Sequence, residues 1–195
     1  GGVHSHQDHL YALLELAKKE KVKNVAVHAI LDGRDTGRDL GSQFITALQK
    51  KMKELGVGRI ASVSGRYFAM DRDNRLDRTA KAYRAMVLGQ GEITEDPVKA
   101  IEVSYKVKVY DEEFVPTVIV EKEKPIAAVS GKDAIIFFNF REDRMRQIVK
   151  AFALPTFDKF ERGGFLKEVL CVTMSEYEKD LPVIVAFPPE IISTC

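Results

Sequence analysis

Arg34, Arg66, Arg141 and Arg144 each stand directly after an apolar run or within the turn that follows it. The turns read Asp32-Gly33-Arg34-Asp35, Ser64-Gly65-Arg66 and Asn139-Phe140-Arg141, and a fourth stretch, Gly2-Val3-His4, looks cut from behind such a run. Guanidinium groups make bidentate, charge-assisted hydrogen bonds to carboxylate and phosphate oxygens. If the runs are parallel strands, their carboxyl ends line one edge of a sheet, where open α/β sheets bind ligands. A histidine, an aspartate and several arginines then converge on one crevice. The ligand expected there is a small anion carrying phosphate, carboxylate or both.

The elements that must deliver these groups follow from periodicity. Leu10, Leu13, Leu14 and Ala17 recur at helical spacing ahead of a lysine-rich end. Val25 to Leu31 reads as a strand covered on both faces. Leu40, Phe44, Leu48 and Met52 form the stripe of a second helix that stops at Gly56. Ile60 to Val63 is a short buried strand, and Ala80, Tyr83, Met86 and Val87 mark a third helix ending near Gly89. Asp96-Pro97 predicts an N-cap followed by proline at the first helical position. Phe114 to Val120 is β-rich but interrupted by Pro116, which predicts an edge strand. Ala134 to Phe140 is the most apolar strand, and Met145, Ile148, Val149 and Phe152 stripe a further helix. Val169 to Met174 and Val183 to Phe187 complete the alternation, which predicts an α/β fold, a three-layer α/β/α arrangement with a mostly parallel sheet.

Composition narrows the function classes. The 195 residues carry 30 Lys and Arg against 29 Asp and Glu, a net charge of +1 that does not fit a protein bound to nucleic acid by counterion release. No run approaches the ~18 apolar residues of a membrane span. The two cysteines, Cys171 and Cys195, make no disulfide framework, and Cys171 reads as a buried apolar residue in a reducing, cytoplasmic setting. Arg59, Arg84 and Arg162 read as surface arginines, and Arg75 and Arg78 as a salt-bridged turn. The opening Gly-Gly-Val-His predicts that a strand precedes the glycines, so that residues 1–180 form a domain lacking its first strand and 181–195 lead out of it.

His4-Ser5-His6-Gln7-Asp8-His9 matches H-x-H-x-D-H and resembles the zinc signature of the metallo-β-lactamase superfamily. Such a site needs further histidines, and the chain has one more, His28, in mid-strand. His6 and His9 therefore read as residues of a helix start, capped by Ser5 or Asp8, whereas His4 beside the glycines keeps the functional reading. A stand-alone anion-binding module is the non-enzymatic alternative.

Gly-Gly-Val-His-Ser-His, Leu-Asp-Gly-Arg-Asp-Thr, Ser-Gly-Arg-Tyr-Phe-Ala-Met-Asp-Arg-Asp and Phe-Phe-Asn-Phe-Arg-Glu-Asp-Arg together resemble the signature blocks of cofactor-independent (2,3-bisphosphoglycerate-independent) phosphoglycerate mutase. The blocks stand in that family's order. Glu142, Met145, Gly37 and Leu76 depart from its usual residues at positions that hold no ligand. The resemblance implies the substrate-binding, phosphotransferase domain of a monomeric cytoplasmic enzyme that interconverts 3-phosphoglycerate and 2-phosphoglycerate. It implies that His4, Arg34, Asp35, Arg66, Arg72, Arg141 and Arg144 hold substrate, with Asp35 and His4 near the glycerate hydroxyls as proton carriers. Arg34 beside Asp35 is expected to keep it a charged acceptor. The resemblance also implies that the phosphoserine and two divalent cations, usually manganese in the family, belong to a phosphatase-like domain outside this chain. No metal is expected on the residues present.

Overall fold

A computed structural model describes residues 2–189. Gly1, Cys195 and the end of the 181–195 segment lie outside the described residues.

Two sheets carry the molecule. The first takes β1 (Ala26–Leu31), β2 (Arg59–Gly65), β3 (Glu92–Thr94), β4 (Thr117–Glu121) and β5 (Lys124–Pro125). Its order is β1-β2-β4-β3, with β5 hairpinned onto β4. The second runs β6 (Ala134–Phe137), β7 (Leu170–Thr173), β8 (Ile184–Val185). Pairs β1–β2, β3–β4, β6–β7 and β7–β8 are parallel, while β2–β4 and β4–β5 are antiparallel. The α/β class holds, with a mixed first sheet. The arginine-bearing strands are thus divided, β1 and β2 in one sheet and β6 in another.

Helices pack on the sheets through two apolar clusters. One joins α1 (Gln7–Lys19), α2 (Gly41–Leu55) and α5 (Pro97–Lys106) to β1, β2 and β4 through Leu14, Ile45, Leu48, Ile101, Val63 and Ile119. The other joins α4 (Leu76–Val87) and α6 (Glu142–Ala153) to β6 and β7 through Tyr83, Met86, Ile148, Phe152, Phe137 and Cys171. A single helical turn, α3 (Arg66–Ala69), follows β2.

Local chemistry sets the ends of these helices. Asp96 accepts from the N–H groups of Val98 and Lys99, with Pro97 at the first turn of α5. Gly56 ends α2 in the left-handed conformation, φ 69°. Within α2 the inward stripe is Ile45, Leu48 and Met52, and Phe44 is turned outward at 39% exposure, its carbonyl accepting from the Gln7 side chain. Gly41 instead of Leu40 begins the buried face, which rotates the stripe by one residue.

Two further expectations are corrected. β4 is interior, lying between β2 and β3, because Pro116 precedes the ladder and needs to supply only its carbonyl, to Glu92 N–H. Arg162 is buried, and its guanidinium donates to the carbonyls of Ala151, Leu154 and Pro155, closing the C-terminal end of α6. Arg59 does sit on the surface, paired with Glu121.

Between the sheets lies a cavity of about 1240 Å³ lined by β1 from Ala26 to Leu31 and by the run Ala134 to Asn139. Among the described residues β1 pairs only with β2, and β6 only with β7, so each turns a free edge toward it.

Candidate anion-binding site

The cavity opens where β1, β2 and β6 end, and His4, Asp32, Asp35, Arg66, Asn139 and Arg141 all line it. Phe140 N–H donates to the His4 carbonyl at 2.9 Å, which fastens the Gly2–His4 turn to the end of the β6 run. The His4 side chain lies on the exposed rim.

Arg66 is the most enclosed charge of the group, at 4% exposure. Its Nη1 donates to Asp32 Oδ1 at 2.6 Å and to Asp35 Oδ2 at 3.3 Å. The loop between those carboxylates is held from within, because Asp32 Oδ1 also accepts from the N–H groups of Arg34 and Asp35. Arg66, not Arg34, is therefore the cation against Asp35. Arg34 points away from the cavity, its side chain 61% exposed and 3.4 Å from Glu112 Oε1.

A second set of arginines stands at the start of α6. Arg141 Nε donates to Asp143 Oδ1 at 2.5 Å, and Arg72 Nη1 reaches Asp143 Oδ2 at 2.5 Å from the loop after α3. The Arg141 guanidinium, with help from Arg72, holds the Asp143 carboxyl far below the ordinary carboxylate range. Arg144 donates to the Met70 carbonyl at 3.3 Å. Burial lowers its pKa, and repulsion from Arg72, Arg66 and Arg141 lowers it further. Arg66 and Arg141 line the same cavity, Asp143 ties Arg72 to Arg141, and Arg144 feels the repulsion of all three. The Nε atoms of Arg66 and Arg144 are buried with no hydrogen-bond partner among the described residues. Buried donors without acceptors cost about 1–3 kcal/mol each, a cost an anion's oxygens can offset.

The Arg72 loop is tied down by Asp71 and Gln147. Buried Asp71 accepts from Asp73 N–H, Arg75 N–H and Gln147 Nε2, and Gln147 Oε1 accepts from Asn74 N–H at 2.8 Å. Arg75 and Arg78 pair with Asp71, as the salt-bridged turn requires.

The structure therefore gathers His4, Asp35, Arg66, Arg72, Arg141 and Arg144, and leaves Arg34 outside. Sequence reasoning overlooked Asp32, Asp143 and Gln147. The alternation Arg141-Glu142-Asp143-Arg144 carried a usable signal for Asp143, since an acid between two arginines at a helix start can reach both. Gln147 had none.

The histidines are corrected in part. His6 is itself the N-cap of α1, its Nδ1 accepting from Asp8 N–H, while His9 Nδ1 accepts from His6 N–H. Neither Ser5 nor Asp8 supplies the cap. His28 bonds Ser62 Oγ at 2.8 Å in mid-sheet, and burial pushes it down to about 4. Among the described residues no group of three or more His, Cys, Asp or Glu side chains is arranged to hold a metal ion.

Residues 1–179 match the family model described as the BPG-independent PGAM N-terminus. The chain is 53% identical to 2,3-bisphosphoglycerate-independent phosphoglycerate mutase of Clostridium acetobutylicum over 99% of its own length and 38% of that protein's. It is 50% identical to the protein of the same name from Thermomicrobium roseum, over 98% of this chain and 37% of that one. A crystal structure of Leishmania mexicana phosphoglycerate mutase at low cobalt concentration superimposes with a TM-score of 0.91 at 32% identity, covering 96% of this chain and 36% of that one. The chain spans well under half the length of the curated relatives it matches. Strand ends, arginine blocks and overall shape lead to one assignment: this chain belongs to the family of N-terminal regions of BPG-independent phosphoglycerate mutases.

Proposed function

We propose that the chain is the substrate-holding part of a 2,3-bisphosphoglycerate-independent phosphoglycerate mutase that interconverts 3-phosphoglycerate and 2-phosphoglycerate. The observation that carries this reading is the arginine field itself. Arg66 and Arg141 line one cavity, Arg72 shares Asp143 with Arg141, and Arg66 and Arg144 each keep a buried Nε–H with no acceptor among the described residues. In this reading Arg66, Arg72, Arg141 and Arg144 grip phosphate and carboxylate, each charge-assisted bond contributing about 1.5–3 kcal/mol. Asp35, held by Arg66 on the cavity wall, takes or returns a hydroxyl proton, and His4 serves the same hydroxyls from the rim. Arg34 contributes only if its loop turns inward from Glu112.

The phosphoryl group passes through a serine of a companion phosphatase-like domain, which also holds two divalent cations, manganese in our proposal. Those ions supply charge neutralisation to the transferring phosphoryl group, and no described residue group is suited to bind them. The fragment's own task is to keep the dephosphorylated glycerate from escaping while it turns. We place the protein in the cytoplasm as a monomer with no nucleic-acid or membrane partner, consistent with its near-neutral charge and two cysteines.

We also propose that the space between β1 and β6 takes the strand leading into Gly2. The free edges on both sides support this, as does the His4–Phe140 bond, which sets the Gly2–His4 turn where a strand parallel to β1 and β6 would end. The pairing of β8 with β7 keeps Ile184 and Val185 in the second sheet, so any exit toward the companion domain begins only after β8.

The test is calorimetric. Saturating 3-phosphoglycerate is expected to stabilise the chain, by about 2.7 kcal/mol at a hundredfold excess over Kd, whereas the chain with added manganese shows no mutase turnover. An unchanged Tm, or turnover by the chain alone, refutes the reading.

A further inference from the structure

The 3₁₀ turn Asp111–Glu113 carries no arginine and lines no part of the cavity, yet it touches both loops that present the β1 and β2 side of the site. Asp111 is buried. Its Oδ2 accepts from Gly41 N–H at 2.7 Å, at the start of α2, a helix with no side-chain cap of its own and no acid in its first turn. Its Oδ1 accepts from the Tyr105 hydroxyl, which in turn accepts from Ser42 N–H at 3.4 Å. Asp111 N–H donates to the Arg38 carbonyl at 3.0 Å. A carboxylate seventy residues distant thus caps α2 and closes the end of the loop that begins at Asp32.

The other loop is held by the same turn. Gly65 N–H donates to the Phe114 carbonyl at 2.7 Å, immediately before Arg66. The contact is backbone against backbone. A Cβ on Gly65 would collide with the Glu112 carbonyl, one on Gly41 with the Asp111 carboxylate, and one on Gly33 would lie 2.8 Å from Glu112 N. Gly33 also has φ 67°, which a larger residue rarely adopts. Each of the three glycines removes a side chain where the turn must press against the loop.

We propose that Asp111, assisted by Tyr105, is a positioning residue for the anion site, fixing the Asp32–Asp35 loop and the Gly65–Arg66 turn relative to each other. The proposal rests on reading those loops as part of the substrate cradle. It also adds what that reading lacks, a reason why Arg66 meets Asp32 and Asp35 in a set geometry. A misplacement of about 1 Å in such a site costs on the order of a hundredfold in rate. Tyr105 Oη and the N–H groups of Gly41 and Leu40 face the carboxylate as donors, and Asp39 is the nearby like charge.

The experiment compares the 195-residue chain with Asp111→Ala, Asp111→Asn and Tyr105→Phe by amide hydrogen exchange and by titration with 3-phosphoglycerate. Val149→Ala, in the apolar cluster around α6, serves as the control for lost stability. Asp111→Ala is expected to speed exchange at least tenfold in residues 33–41 and 65–67 together and to weaken binding at least tenfold. Asp111→Asn and Tyr105→Phe give smaller changes of the same pattern, while Val149→Ala leaves affinity and both loops within twofold. Faster exchange confined to α2, or an equal affinity loss in Val149→Ala, overturns the proposal and leaves Asp111 a helix cap. Should the wild-type chain fail to bind 3-phosphoglycerate while the two loops still loosen together, the positioning role stands and the cradle reading falls.

Discussion

Arg66 and Arg141 end strands in two different sheets and are held by opposite means. Arg66 is enclosed between Asp32 and Asp35, in loops clamped by a buried turn and by glycines that admit no side chain. Arg141 lies nearer solvent and shares one carboxylate, Asp143, with Arg72, while Arg144 beside it is pushed by its neighbours. One side of the site is built by packing, the other by charge balance. A packed side keeps its geometry whether or not an anion is bound. On the proposed function, the charge-balanced side is expected to release its arginines when an anion competes with Asp143.

The sharpest way to break this contrast is Arg66→Ala. Removing the guanidinium takes the cation from the largely buried Asp32 carboxylate, and a loss of about 3–5 kcal/mol is expected in urea denaturation. A loss below 1 kcal/mol would mean that the β1 and β2 side is no more rigid than the other.

The next effect separates the two sides by pH. His28, on β1, is held neutral in the native state by burial, down to about 4, whereas the unfolded chain gains its proton near 6.5. Its contribution is complete above 6.5 and is lost as pH falls toward 4, on the order of 3 kcal/mol in total. Asp143 behaves as a depressed carboxylate: its contribution holds above about 4 and is lost only on further acidification. Denaturation midpoints measured from pH 7 to 3 should therefore fall in two stages, and His28→Asn should erase the first. A profile flat to pH 4 in the wild type rules this out.

Gln147→Ala tests the tie between the Arg72 loop and α6. It removes the acceptor for Asn74 N–H and a donor to Asp71, and about 1–2 kcal/mol of stability should go with them. Phosphoglycerate affinity should drop as well, because Arg72 is no longer aimed.

Asp143→Asn is expected to change stability least, by under about 1 kcal/mol, since the carboxylate is a third exposed. Its effect is on binding. With Arg72 and Arg141 released, inorganic phosphate should bind several-fold more tightly at low salt, and the gain should vanish at high salt. Weaker binding would show that Asp143 aims the arginines instead of competing for them.

Much of this was legible from local chemistry. Asp96-Pro97 and Gly56 marked helix ends because caps are decided within four residues. The arginine blocks declared themselves because each follows its own strand. What escaped was settled between distant segments. Pro116 pointed to an edge strand, but a proline just before the ladder withholds nothing the ladder needs. Arg162 read as surface because its three carbonyl partners belong to the end of α6 and the turn after it. Asp111 lies in an acidic trio, Asp111-Glu112-Glu113, that looks like any solvated turn. Only the fold carries Gly41 and Tyr105 to it.

Among the described residues β1 and β6 each keep an open edge, and those edges matter in the test tube. Strands with unsatisfied N–H and C=O groups beside apolar residues recruit whatever extended polypeptide is nearby, including a second molecule of the same kind. Concentrated preparations of this fragment should therefore clump, and a short synthetic peptide of alternating valine and threonine should keep them clear. Expression yield would then be governed by the two strand margins that flank the arginine-lined cavity.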